Sequence, residues 1–320
     1  MRKLCLAVLF ILTMVFLAGC GNDQPALSNS YKEKNDNQKI NIVATFYPLY
    51  EFAGRVGGER VEVYNLLPPG VEPHGWEPTP RELARIEDAD LFIYNGAGME
   101  PWVEQRLLPV LKNSGVRVVN ASSGQDLIHL SAGEQEAEHA HVHEGNRKYD
   151  PHFWLDPVMA KKIVESISLA LISIDPSGEQ YYRNNTENYT NELLALDREF
   201  SAAAKEFKNK ELVTSHSAFA YLARRYGLQQ VSVLGLSPDA QPSPAELKEV
   251  VNFVREKKVK CIFFEPLVNP GLAETVAREA KVKTGVLDPV AGLSDEEEAR
   301  GENYISIMRK NLAALREALS

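Results

Sequence analysis

Three cysteines are all that this 320-residue chain contains, and they have no way to pair. Cys5 lies inside an apolar leader, Cys20 closes that leader, and Cys261 stands by itself in Val259-Lys260-Cys261-Ile262-Phe263-Phe264. A structural disulfide is therefore excluded, and Cys261 reads as a buried strand residue. Positive charge is also in deficit: 35 Lys and Arg stand against 44 Asp and Glu, a formal net charge of -9. That balance excludes nucleic acid as a partner, because phosphate binding needs a basic footprint. No apolar run makes a comfortable membrane span; the leader run, Leu4 to Phe16, falls short of the ~20 residues needed. A nucleophile elbow, a phosphate loop and a dinucleotide fingerprint are all missing, so common enzyme chemistries find no support.

What is present is an ordinary globular composition, 44% hydrophobic and 25% charged, in a chain long enough for two domains. Residues 1–19 read as a signal peptide: Arg2 and Lys3 supply the charge and Leu4 to Phe16 the apolar stretch. Leu17-Ala18-Gly19-Cys20 resembles the lipobox of bacterial lipoproteins, in which cleavage before the cysteine leaves it lipidated. Acyl chains on Cys20 would hold the protein on a membrane surface. Residues 20–39 are polar and read as a flexible tether.

Short apolar runs then alternate with helix-period segments, the pattern of an α/β fold with mostly parallel strands. The first half, 40–156, places strands at Ile40 to Thr45, Val61 to Leu67, Leu91 to Asn95 and Val116 to Asn120. The second half, 208–320, places them at Leu212 to Ser215, Gln230 to Leu234, Lys260 to Phe264 and Thr284 to Leu287. Val43-Ala44-Thr45-Phe46 lies over Val213-Thr214-Ser215-His216, and further matches follow in the same order, so the halves read as a repeat. Between them, 157–207 is helical. Its second part, 179–207, has no proline or glycine and forms a rod of about 40 Å. Ser294 and Glu297 read as the capping box of the final helix, whose buried stripe includes Ile305, Met308, Leu312, Leu315 and Leu319. The predicted architecture is two similar βα lobes with mostly parallel four-stranded sheets, joined by one long rigid helix.

Pro73-His74-Gly75-Trp76-Glu77-Pro78-Thr79-Pro80-Arg81-Glu82 sets a histidine on a proline-bounded loop before a helix. Thr79 is the N-cap, Pro80 the first helical residue and Glu82 the reciprocal partner. Gln241-Pro242-Ser243-Pro244-Ala245-Glu246 repeats the frame without the histidine. Two more framed histidines stand at His152, in Asp150-Pro151-His152-Phe153-Trp154-Leu155-Asp156-Pro157, and at His216, in Thr214-Ser215-His216-Ser217. Asp288, before Pro289, is a fourth candidate; its other reading is a turn initiator, with water taking the fourth place. All four follow strand carboxyl ends, the edge at which parallel α/β sheets bind ligands, so they converge on the cleft between lobes. Three imidazole nitrogens and a carboxylate suit Zn(II), whereas Mn(II) prefers more oxygens. Glu265 sits at the same edge and reads either as an acceptor that orients a histidine or as an unrelated cleft residue. His139, His141 and His143 alternate in an acidic loop, 130–148, that reads either as loose metal capture or as a solvated loop. His129 reads as structural. Trp76, Phe153 and Trp154 stand beside the histidines and would dry the site. The competing reading is a surface metalloenzyme, with water on the metal and Glu265 or Asp288 as base.

Taken together, the lipobox, the Pro-His-x-x-Glu-Pro-Thr-Pro frame at 73–80, the acidic histidine loop, the stretch 150–157, the Ser-His-x-Ala-Phe-x-Tyr-Leu element at 215–222 and the late Asp288-Pro289 resemble the bacterial zinc/manganese ABC-transporter solute-binding lipoproteins. The resemblance covers nearly the whole chain. It implies two βα lobes joined by a rigid helix and one metal in the interlobe cleft. It implies a monomer, not an enzyme, that is extracytoplasmic, anchored to the bacterial cell membrane through lipid on Cys20, and delivers metal to a membrane permease driven by an ATPase. It places the ligands at His74, His152, His216 and Asp288. Manganese members tend to carry Glu where this chain has His216, which favours zinc as the transported ion, with manganese the alternative. Some members of the family were first described as adhesins.

Overall fold

The structure is a computed structural model and describes residues 38–130, 148–236, 238, 242–267 and 269–320, which belong to one compact unit. The leader, Cys20 and the loop histidines His139, His141 and His143 lie outside the described residues.

The N-terminal half carries β1 (Ile40–Ala44), α1 (Tyr47–Gly57), β2 (Val61–Asn65), α2 (Pro80–Glu87), β3 (Leu91–Tyr94), α3 (Leu108–Leu111) and β4 (Arg117–Asn120). Next come α4 (Pro157–Ile174) and α5 (Glu179–Ala204). The C-terminal half carries β5 (Glu211–Thr214), α6 (Ala220–Tyr226), β6 (Gln229–Ser232), α7 (Pro244–Glu256), β7 (Cys261–Phe264), α8 (Gly271–Ala280), β8 (Lys283–Val286), α9 (Asp295–Ala299) and α10 (Tyr304–Leu319). The two sheets have orders β2-β1-β3-β4 and β6-β5-β7-β8, with every pairing parallel. The same order twice is the repeat that the sequence announced. In each sheet the first strand is central, and β1 is buried at four of its five positions, as a strand covered on both faces must be.

The capping boxes form as read. Thr79 accepts from the Glu82 amide while the Glu82 carboxylate accepts from the Thr79 amide, and Ser243 with Glu246 does the same on α7. The third box caps a different helix from the one expected. Ser294 and Glu297 start the short α9, which ends at Gly301 in a left-handed conformation (φ 70). Asn303 with Ser306 then caps α10. Gly301 breaks the run because a residue there must adopt positive φ, which only glycine does without strain. Cys261 lies on β7 as expected but is half-buried.

Helix α5 buries a stripe of Tyr182, Tyr189, Leu193, Leu196, Phe200 and Ala203. Its 26 residues span about 39 Å at 1.5 Å per residue. It packs along α4 and also touches α1 from one lobe and α10 from the other. A buried carboxylate, Glu51 on α1, ties these pieces together. It accepts from the Tyr304 amide at the start of α10 (2.7 Å) and from the Tyr189 hydroxyl of α5 (3.3 Å), and the Tyr47 hydroxyl also donates to it. The Tyr304 hydroxyl donates to the Trp154 carbonyl (2.5 Å), and the Trp154 indole N–H donates to the Pro289 carbonyl (2.8 Å). The joint between the halves is thus a buried core threaded by satisfied hydrogen bonds. Among the described residues, no helix is long and apolar enough to cross a membrane.

Candidate metal centre

His74 hangs on the turn between β2 and α2. Pro73 accepts from the Gly75 and Trp76 amides (3.1 and 3.4 Å), and Gly75 takes φ 143, a value open to glycine. His152 lies just before a single 3-10 turn, Phe153–Leu155, that leads into α4 through the Asp156 N-cap. The C-terminal half helps to hold it: the Tyr221 hydroxyl donates to the Asp150 carbonyl (2.6 Å). His216 follows β5, its carbonyl held by the Thr214 hydroxyl (2.7 Å) and the Gln230 amide (3.1 Å).

These three elements bring the rings together. The ligand nitrogens of His74, His152 and His216 all lie within 4.8 Å of one another, and all three residues are buried. His74 Nε2 is 2.9 Å from His152 Nε2, which is 3.4 Å from His216 Nε2. Two nitrogens on a tetrahedral Zn(II) at roughly 2.05 Å lie about 3.3 Å apart, so the triad is already close to zinc geometry.

The far sides of two rings explain why. His152 Nδ1 is 2.8 Å from Asp150 Oδ1, and His216 Nδ1 is 2.5 Å from Glu265 Oε1. A neutral ring that donates Nδ1–H to a carboxylate turns a bare Nε2 lone pair inward. Two such lone pairs 3.4 Å apart repel unless a proton or a metal ion lies between them. Burial pushes the His216 imidazole down, but the Glu265 carboxylate, by charge and by hydrogen bond, pushes it up further, so it ends above its usual value. Glu265 also accepts from the Ser215 hydroxyl (2.5 Å), while its other oxygen is buried with no partner among the described residues.

Asp288 is not brought into this group. Its carboxylate accepts from the Val290 amide (2.7 Å) in a side-chain-closed turn, and Asn311 holds its amide and carbonyl. Burial above all pushes its carboxyl up to about 7. His129 packs on Tyr149, with ring centroids 4.6 Å apart, in a structural bridge. Trp154 and Phe153 are fully buried, with the Trp154 ring 5.2 Å from His152. Two residues escaped the sequence reading. Asp150 is legible afterwards as the carboxylate two places before a histidine. Glu72, also two places before a histidine, has Oε1 3.9 Å from His74 Nε2.

A family model described as "Zinc-uptake complex component A periplasmic" matches residues 42–318. The high-affinity zinc uptake system protein ZnuA of Bacillus subtilis (strain 168) is 43% identical over 313 residues, 97% of each chain. The chain belongs to the ZnuA family. Among solved structures it is similar to the Zn(II)-bound ZnuA-like domain of Streptococcus pneumoniae AdcA, with 41% identity and a TM-score of 0.75 over 88% of this chain and 99% of that one. The complete AdcA lipoprotein is longer, and this chain covers 61% of it. It is also similar to the laminin-binding protein Lmb of Streptococcus agalactiae, described as having adhesin and metal transporting activity, with 32% identity and a TM-score of 0.77 over 88% of this chain and all of that one. As a ZnuA-family chain, it is an extracytoplasmic solute-binding component of a transport system and not an enzyme.

Proposed function

We propose that this protein captures Zn(II) with high affinity outside the cytoplasm and delivers it to a membrane ABC permease and its ATPase. The observation that carries the reading is the inward convergence of three imidazole nitrogens, two of them backed by buried carboxylates. His74, His152 and His216 are the ligands in this reading. The fourth position goes to an oxygen, from Asp288 after its turn opens or from water. The histidine-rich donor set disfavours Mn(II), which takes more oxygens. Cys20 carries the lipid, residues 20–39 are the tether, and His139, His141 and His143 catch metal ions loosely. The lobes are taken as 40–156 and 208–320, with 157–207 between them.

The test is a metal titration of the stripped protein with Zn(II) and Mn(II), beside His216→Ala. One tight zinc site, weak manganese and a loss of about 100-fold in the variant are expected, since one of the three nitrogen ligands is then gone. Manganese bound as tightly as zinc would move the protein among manganese carriers. If no tight site appears, the three histidines are structural.

A further inference from the structure

A cavity of about 370 Å³ has Glu72 from the N-terminal half on one wall and Leu234, Leu267, Asn269 and Leu272 from the C-terminal half on the other, and Glu72 is its link to the triad. Glu72 is the one charged residue among those described on its wall. The same carboxylate reaches inward: Oε1 accepts from the His74 amide (3.3 Å) and lies 3.9 Å from His74 Nε2. Exposure separates Glu72 from the other carboxylates of the site. Its side chain is 23% exposed, against 4% for His74, while Asp150 and Glu265 are each 2% exposed and spent on ring nitrogens. One acidic group therefore meets both the solvent and a nitrogen of the triad.

A hydrated dication meets two obstacles on its way to three buried imidazoles. It has to find the opening, and it has to lose water before nitrogen can replace it. An anionic oxygen at the rim answers both, by raising the local cation concentration and by supplying an oxygen for the first water shed. Among the described residues, the others on the rim are apolar or amide and supply neither charge nor a strong ligand. We propose that Glu72 is the landing carboxylate through which the metal ion enters and leaves the triad. The ion binds Glu72 with part of its water shell, gains His74 and then the two inner histidines, and lets the carboxylate go; release retraces the steps. No bond outside the metal's coordination shell changes, and each incoming ligand displaces one water or one oxygen.

The proposal rests on the zinc-capture reading, and the experiment separates the two. Zn(II) association is followed by stopped flow at several ionic strengths, and dissociation by an excess of a chromogenic chelator, for the wild type, Glu72→Gln and Glu72→Asp. Gln keeps an acceptor for the His74 amide, so the turn is preserved. In Glu72→Gln, association should slow about tenfold and lose much of its salt dependence. Dissociation should slow as well, leaving the dissociation constant within a few-fold of wild type, and Asp should recover part of both rates. An unchanged association rate would overturn the proposal. So would a variant whose whole loss lies in faster dissociation, which would make Glu72 a permanent ligand. A wild type that takes up no zinc would instead sink the capture reading itself.

Discussion

Replacing Glu265 by Gln tests the site most sharply, because its two effects have different pH dependence. The wild-type carboxylate takes hydrogen bonds from the Ser215 hydroxyl (2.5 Å), His216 Nδ1 (2.5 Å) and the His216 amide (3.4 Å), with a side chain 2% exposed. Gln retains an oxygen for these donors but no charge. The ring then becomes a poorer base toward metal, and losing such a carboxylate typically costs 10–100-fold in affinity, or about 1.4–2.8 kcal/mol. The carboxylate also holds His216 above its usual value against the opposing pull of burial. In the metal-free wild type, the imidazolium–carboxylate pair stabilises the fold at low pH, and this contribution is lost as pH rises through the raised value. Metal must expel that proton. With Gln, burial is opposed only by the more weakly acting Glu72 and Asp150, so the imidazole sits lower than in the wild type and metal has less proton to expel near neutrality. The affinity gap between wild type and variant should be widest near pH 8 and narrow toward pH 6. Competition with a chelator of known pH dependence measures it. An equal gap at both ends, or none, would refute the argument that Glu265 acts on the metal through the ring.

Glu100 gives a second pH prediction. Burial, outweighing donors from Thr45, Asn95 and Gly96, pushes its carboxyl from 4.5 up to about 7. The folded chain then keeps a proton that the unfolded chain releases between those values, so stability falls as pH rises through the window, by about 3 kcal/mol from this group. Urea unfolding of Glu100→Gln beside wild type at pH 5 and 8 should show their difference shifting in the variant's favour at the higher pH; a constant difference would disprove it. Thr79→Ala breaks the box that starts α2 and should cost about 1 kcal/mol in the same assay. Trp154→Phe removes the indole donor to the Pro289 carbonyl and strands that buried acceptor, at a cost of about 1–3 kcal/mol; a neutral result would mean that water replaces the indole.

Much of this molecule was legible because its signals are local. Caps such as Thr79 with Glu82 are written in four consecutive residues, and both sheets follow from apolar runs bounded by turns. The three histidines could be chosen because each stands just beyond a strand or in a proline frame. What was illegible depends on contact across the chain. Glu265 could be read as orienting a histidine, but not which one: it is 49 residues from His216, and the parallel placement of β5 beside β7 is what pairs them. Asp150 was quoted without a task, since spacing does not say whether an aspartate before a histidine points at the ring. Asp288 carried two readings, and the turn it closes with Val290 is what the described geometry holds. The Ser294 box was correctly recognised but assigned one helix too far, because the break at Gly301 looks in sequence like a tolerable glycine within a helix.

The rod between the lobes has a consequence for timing. A carrier whose halves swing on loops holds or drops its load according to how often it gapes. Here α5 runs through 26 residues without proline or glycine, and Glu51 fastens it to both sides. With the frame braced and Glu72 acting as proposed, the dwell time of the cargo becomes a matter of ligand exchange at the rim rather than of posture. Such a device is adjusted by single side chains at its opening, and its clock can be reset without rebuilding its scaffold.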